Sequence, residues 1–343
     1  MIVGGIPMLF GGAAQSKYLA VSHNLSPFIT VYPWSTLGFG TKFADPATLP
    51  PATGRGVSFS PTGTQIAVAH STSPYVTAYP WSSSGFGTKF ADPATLPTGI
   101  AYGVAFTATG NAIAIAHTTS PFVTAYPWSS SGFGTKFADP ATLPPAIGYS
   151  VAFSPAVSEI AIGVQGTPYV TAYPWSTGGF GTKFSNPATV PTGDGYGVAF
   201  TATGDAIAVA SPNSPFISAY PWSSSGFGTK FADPATLPAG TGNGVAFTPT
   251  GDQIAIAHTL TPFVTAYPWS GSGFGTKFSN PATLPAGDGN GVAFSATGTE
   301  IAVASSLDPF IRAYPWSSSG FGTRFSNPAT TPPGTGNGIA FGS

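Results

Sequence analysis

The chain has 343 residues, of which ten are Lys or Arg and eleven Asp or Glu, giving a formal net charge of −1. That is about a quarter of the usual share of charge, and with no basic cluster the chain cannot recruit phosphates by counterion release, so no nucleic-acid partner is expected. The absence of cysteine removes disulfide frameworks and thiolate metal sites. No apolar run reaches the roughly 18 residues of a membrane span.

In chain order, residues 1–12 come first and match nothing later in the sequence. Their MIVGGIPMLF stretch lacks the basic start of a secretory signal. It reads either as a segment that docks into another subunit or pairs along a sheet edge, or as a disordered or loosely packed terminus.

From there to residue 343 one unit repeats. Trp34, Trp81, Trp128, Trp175, Trp222, Trp269 and Trp316 stand 47 residues apart, each preceded by Tyr-Pro. A period of this size denotes an array of one supersecondary unit. Residues 197–238 show its content. GVAF predicts strand A over 198–201, a Thr-Gly turn follows, and alternating Ile and Val predict strand B over 206–210. Strand C is predicted over 216–220, ended by Pro221, which cannot donate to a ladder. A weaker, polar strand D is predicted around 228–231 as an outer edge. Four strands in such a length make one propeller blade.

The ends fix the architecture. The strand A position before Trp34 reads LFGG at residues 9–12, whereas Gly338, Ile339, Ala340 and Phe341 supply a spare strand A at the C-terminus. The fold class expected is therefore an all-β, seven-bladed β-propeller with four antiparallel strands per blade, over residues 13–343. The C-terminal strand joins the N-terminal blade and closes the ring, removing the caps an open solenoid requires.

The run VSFSPTGTQIAVAH followed by SPYVTAYPW, residues 57–70 and 73–81, resembles the strand A, B and C wording of WD40-like propellers. The resemblance extends over all seven repeats and implies the fold. It departs from true WD40 repeats in placing Pro before Trp and no Asp after it, so that family's Asp-His-Ser-Trp network does not carry over. The SPFVTAYPW and GFGTKF phrases are also similar to propeller repeats of bacteriophage structural proteins.

The repeated Trp is either a sugar-stacking platform or, as aromatic packing favours, a filler between blades. Lys42, Lys89, Lys136, Lys183, Lys230, Lys277 and Arg324 form either an anion-binding ring or a solvated edge. His23, His70, His117 and His258 share one repeat position in different blades, too dispersed for the three or four converging ligands of a metal site. The Asp residues of the DPATLP phrase read as turn formers. No metal or cofactor is expected, and no catalytic pair or nucleophile motif is found.

Where the repeats differ is more telling. The scaffold is copied almost letter for letter, while variation collects in the D-to-A and B-to-C connections, which open on one face. The residue just before strand A reads Arg55, Tyr102, Tyr149, Tyr196, Asn243, Asn290, Asn337 round the ring. These side chains are expected to ring the channel mouth, with rigid Tyr anchors in one sector and Asn in another.

The function expected from sequence is a non-enzymatic structural or adhesion module on a virion or cell surface, a phage tail or capsid-associated component foremost. Its variable-loop face would bind other virion or surface-assembly subunits. The alternative is a multivalent lectin binding glycan between blades. A propeller enzyme ranks third, for want of an unrepeated carboxylate or His cluster at the mouth.

Overall fold

Residues 17–343 are described by a computed structural model; the unrepeated residues 1–12, with the docking or strand-pairing expected of them, lie outside that range. The described residues form seven antiparallel sheets of four strands each. Each innermost strand packs against the innermost strands of its two neighbours all the way round. Strand Gly336–Gly342 supplies the inner strand of blade 1, antiparallel to Tyr18–His23, with Ile339 opposite Val21 and Phe341 opposite Leu19. Blades are numbered 1 to 7 in the order of their Trp residues.

Blade 5 shows how sequence becomes blade. Its strands are Gly197–Phe200, Ala206–Ala210, Ile217–Ser223 and Gly226–Phe227. Strand C therefore runs through Pro221 and does not end there. The Trp222 N–H carries the bond towards strand B, to Asp205 O at 2.7 Å. Pro221 lacks only a donor on the opposite side, where its own carbonyl accepts from Gly228 N at 2.8 Å. Strand D comes earlier than 228–231 because a two-residue turn reverses the chain at once: Ser223 pairs with Gly226, whose φ of +92° suits glycine. The Lys-bearing phrase beyond it is irregular, tied back by Phe231 N to Ala219 O at 2.9 Å.

Alternation along strand B gives each blade two unlike faces. In blade 3, Ile113 and Ile115 point one way and Ala112, Ala114 and Ala116 the other; the Ile face, with Tyr126 and Trp128, packs on Ala67, Ala69 and Ala78 of blade 2. A large face meets a small one at the closing junction too, where Leu19, Val21, Tyr32 and Trp34 pack on Ala302, Ala304 and Ala313; blade 1 instead offers blade 2 the larger Tyr18, Ile29 and Val31 beside Ala20. Each junction is also pinned by a phenol: Tyr79 OH donates to Thr48 O at 2.7 Å, and Tyr32 OH to Thr330 O at 2.8 Å.

Candidate functional site at the channel mouth

Strand A opens on a small residue that cannot grow. A Cβ on Gly54 would lie 2.2 Å from Phe28 O, and one on Gly56 would lie 2.7 Å from Tyr102 O in the next blade. Between these two glycines the register with strand B shifts, so Arg55 sits at a β-bulge. The same shift falls at Tyr102, Tyr149, Asn243 and Asn290, and opposite Ser22 and His23 at Asn337. A bulge frees one residue from the ladder and re-aims its side chain. Six of the seven rim residues, all but Tyr196, sit at such a shift, and Arg55, Tyr102, Tyr149, Tyr196, Asn243, Asn290 and Asn337 together line a cavity of about 330 Å³.

The two sectors of this rim are built differently. The Arg55 guanidinium carbon lies 4.5 Å from the centre of the Tyr102 ring, a cation–π contact. Tyr102 meets Tyr149 edge-on at 5.3 Å, and Tyr149 meets Tyr196 at 5.0 Å. Arg55 Nε is buried and has no hydrogen-bond partner. The three Asn side chains each donate Nδ2 to the first residue of the next inner strand: Asn243 to Gly289 O, Asn290 to Gly336 O, and Asn337 to Gly54 O, at 2.8–2.9 Å. These bonds staple neighbouring blades.

Burial first, then the charge of Asp194 and the neighbouring phenols, pushes Tyr149 up to about 12. Burial and Asp194 push Tyr196 in the same direction. Both phenols are therefore donors at neutral pH. Asp194, a carboxylate that TGDGY shares at this position only with Asp288 of AGDGN, was missed in the sequence; its Oδ1 accepts from Gly166 N at 3.0 Å. Below the rim, Ser150 stands in an otherwise all-glycine ring, opposite Gly163 in the register. The far end of the channel is lined by Phe106, Phe153, Phe200, Phe247 and Phe294 with Ser154, Thr201, Thr248 and Ser295 among them, and no charged side chain.

The other candidates lie elsewhere. The seven Trp rings are 3–7% exposed; Trp81 is enclosed by Tyr18, Phe43, Phe59 and Phe86 at 4.8–5.8 Å, leaving no open face for a sugar. Lys42, Lys89, Lys136 and Lys230 pair with Asp45, Asp92, Asp139 and Asp233 three residues on, while Lys183, Lys277 and Arg324 reach Asn186, Asn280 and Asn327. The four His side chains are fully buried, each with Nε2 2.8–2.9 Å from a Thr hydroxyl of its own blade. A larger cavity of about 450 Å³ between blades 3 and 4, against Trp175, Phe137 and Val157, holds no titratable side chain.

No protein-family profile matches the chain, and no curated protein matches it in sequence. Solved structures match its fold. The periplasmic gluconolactonase PpgL of Pseudomonas aeruginosa superposes with a TM-score of 0.71 at 14% identity, over 95% of this chain and 99% of that one. A Bacteroides uniformis protein provisionally named a 6-phosphogluconolactonase gives 0.70 at 14% identity, over 96% and 100%. The Swd1 β-propeller domain of Myceliophteria thermophila gives 0.58 at 13% identity, over 80% and 87%.

The chain is a seven-bladed β-propeller. At these identities the likeness shows the fold alone, yet it corrects the functional expectation. The reading as a non-enzymatic virion, adhesion or lectin module is overturned by end-to-end matches that carry lactonase names. The similarity to phage structural repeats, and the virion placement resting on it, find no support among these matches. The sequence reading set an enzyme aside for want of an unrepeated carboxylate or His cluster at the channel mouth, and the lactonase names of these matches overturn that exclusion.

Proposed function

We propose that the chain is a lactone hydrolase that takes a small, hydroxylated, anionic lactone at the channel mouth. The observation carrying this reading is the division of the rim into a donor sector, Arg55 and the three phenols, and a sector of three Asn side chains whose Nδ2 groups are already bonded. A carboxylate or phosphate on the ligand fits the guanidinium, and its hydroxyls fit the Asn acceptors. In hydrolysis water adds to the acyl carbon, the ring C–O bond breaks, and the ring oxygen leaves as a hydroxyl. Protonated Tyr149 would stabilise the oxyanion that forms; a donor of this kind is worth about 10²–10³ in rate. The lactonase names of the structural matches support the reaction class, and the periplasmic name of PpgL supports a setting outside the cytoplasm.

The test is hydrolysis of glucono-δ-lactone and its 6-phosphate, followed by proton release above the buffer rate. Acceleration is expected, with the 6-phosphate preferred, with Arg55→Gln losing that preference, and with Tyr149→Phe losing about 10²-fold. A protein that accelerates neither lactone and binds neither product by calorimetry overturns the proposal.

A further inference from the structure

At the junction of blades 6 and 7 the residue that opens strand B reaches the Trp of the next blade. It is Gln253, and its carboxamide serves two groups there: Oε1 accepts from Trp316 Nε1, and Nε2 donates to the Ser317 carbonyl at 3.5 Å. Between blades 3 and 4 the same repeat position holds Ala112, while Trp175 and Ser176 stand where Trp316 and Ser317 do. The two indoles are set alike. Phe137, Phe153 and Phe180 meet Trp175 edge-on at 5.0–5.2 Å, and Phe278, Phe294 and Phe321 meet Trp316 edge-on at 4.8–5.4 Å. The Trp175 N–H is thus directed at the place of a missing carboxamide, and the methyl group of Ala112 cannot accept from it.

That place is open. A cavity of about 450 Å³ is bounded by Ala112, Trp175 and Ser176 together with Pro127, Phe137 and Val157, a size that suits a small ligand. Asn111 at its edge has Oδ1 occupied by the Thr107 and Thr109 hydroxyls, both at 2.8 Å, which leaves Nδ2 as a further donor. No charged side chain lines the cavity, so a charged ligand would be desolvated there without a partner. Val157 forms its wall in spite of its backbone. Gly63, Gly110, Gly204, Gly251 and Gly298 hold that turn position elsewhere, all at positive φ, and Val157 adopts +57°, a strained setting for a β-branched residue. Its side chain packs on the cluster of Ala112 and Trp175. Between blades 5 and 6 the alanine recurs as Ala206, but Gly251 replaces the wall and the Asp205 carboxylate stands in the place of Asn111.

We infer that the cavity between blades 3 and 4 binds a small neutral primary carboxamide, its carbonyl oxygen on Trp175 Nε1 and its amide N–H on the Ser176 carbonyl, apart from the channel mouth. Benzamide is titrated into protein labelled at tryptophan with the heavy nitrogen isotope, and the seven indole N–H resonances are followed; Trp175→Phe identifies the one that reports on the cavity. That resonance alone is expected to shift saturably, with half-saturation on the order of 1 mM for so small a ligand. Benzoate, of the same shape but charged, is expected to leave it in place. Ala112→Gln puts there the residue that blades 2 and 6 already carry as Gln65 and Gln253, so the fold admits it; the chain's own amide then occupies the site, and the benzamide shift is expected to vanish. No saturable shift at Trp175, a shift common to several indoles, an equal shift with benzoate, or an equal shift after Ala112→Gln overturns the inference. None of these outcomes bears on lactone turnover at the mouth.

Discussion

Acidification from pH 6.5 to 4 is expected to remove on the order of 10 kcal/mol of folding stability through three histidines alone. His23, His70 and His117 are fully buried, and burial lowers each from the ordinary 6.5 to about 4, outweighing the backbone bonds that favour the charged form. Above pH 6.5 each is neutral folded or unfolded, and the stability is fully present. Between 6.5 and 4 the unfolded chain takes up protons that the folded chain refuses, so stability falls by about 1.4 kcal/mol per pH unit for each residue. Below 4 both states are charged and the loss from these groups stops. His258 is shifted in the same direction by burial and adds to the slope. Denaturant unfolding at half-unit pH steps reads that slope. Replacing His117 with Ser, the residue at the equivalent position of blades 5 and 7, should flatten it by one proton whatever it does to the midpoint. A stability that is level from pH 6.5 to 4.5 sinks the idea.

The same four histidines show how far the sequence could be read. Their shared repeat position was visible, and so was their dispersal over different blades. Their bond to the strand C Thr was not, because it depends on two strands lying in register, Ala116 opposite Val123 in blade 3. Architecture was legible because it follows from counting: a 47-residue period and a spare inner strand leave a closed ring as the economical solution. The rim was legible for a related reason, since internal repeats serve as controls and Arg55 or Tyr149 stands out against its counterparts. What lay beyond reach was geometry finer than the repeat. The bulges that aim the rim inward, the Asn staples between blades and the contact of Arg55 with Tyr102 all arise from tertiary pairing. Strand C failed at Pro221 because the direction of the missing N–H, and not the presence of proline, decides whether a ladder stops.

Deleting residues 336–343 is expected to leave no cooperatively folded protein at 25 °C. The strand they form is the inner strand of blade 1 and also packs against the inner strands of blades 7 and 2, so its loss opens the ring at two junctions. The aromatic cluster of Trp34 loses Phe341, 5.3 Å from it, a deletion that on its own resembles a Phe-to-Ala change of about 3–5 kcal/mol. Tyr18–His23 also becomes an exposed edge, its ladder to Gly338–Gly342 unmade, and the Asn337 staple to Gly54 is lost. Together these exceed much of the 5–15 kcal/mol that holds a typical domain folded. A circular permutant separates position from content: placing residues 336–343 ahead of residue 17, joined by a short Thr-Gly turn like those of the other blades, should restore a cooperative melt. Because Asn337 returns with that strand and can again donate to the Gly54 carbonyl, the permutant should also recover whatever lactone turnover the intact ring has. A truncated chain that melts cooperatively within a few degrees of the full-length protein would show that the described ring does not depend on its closing strand.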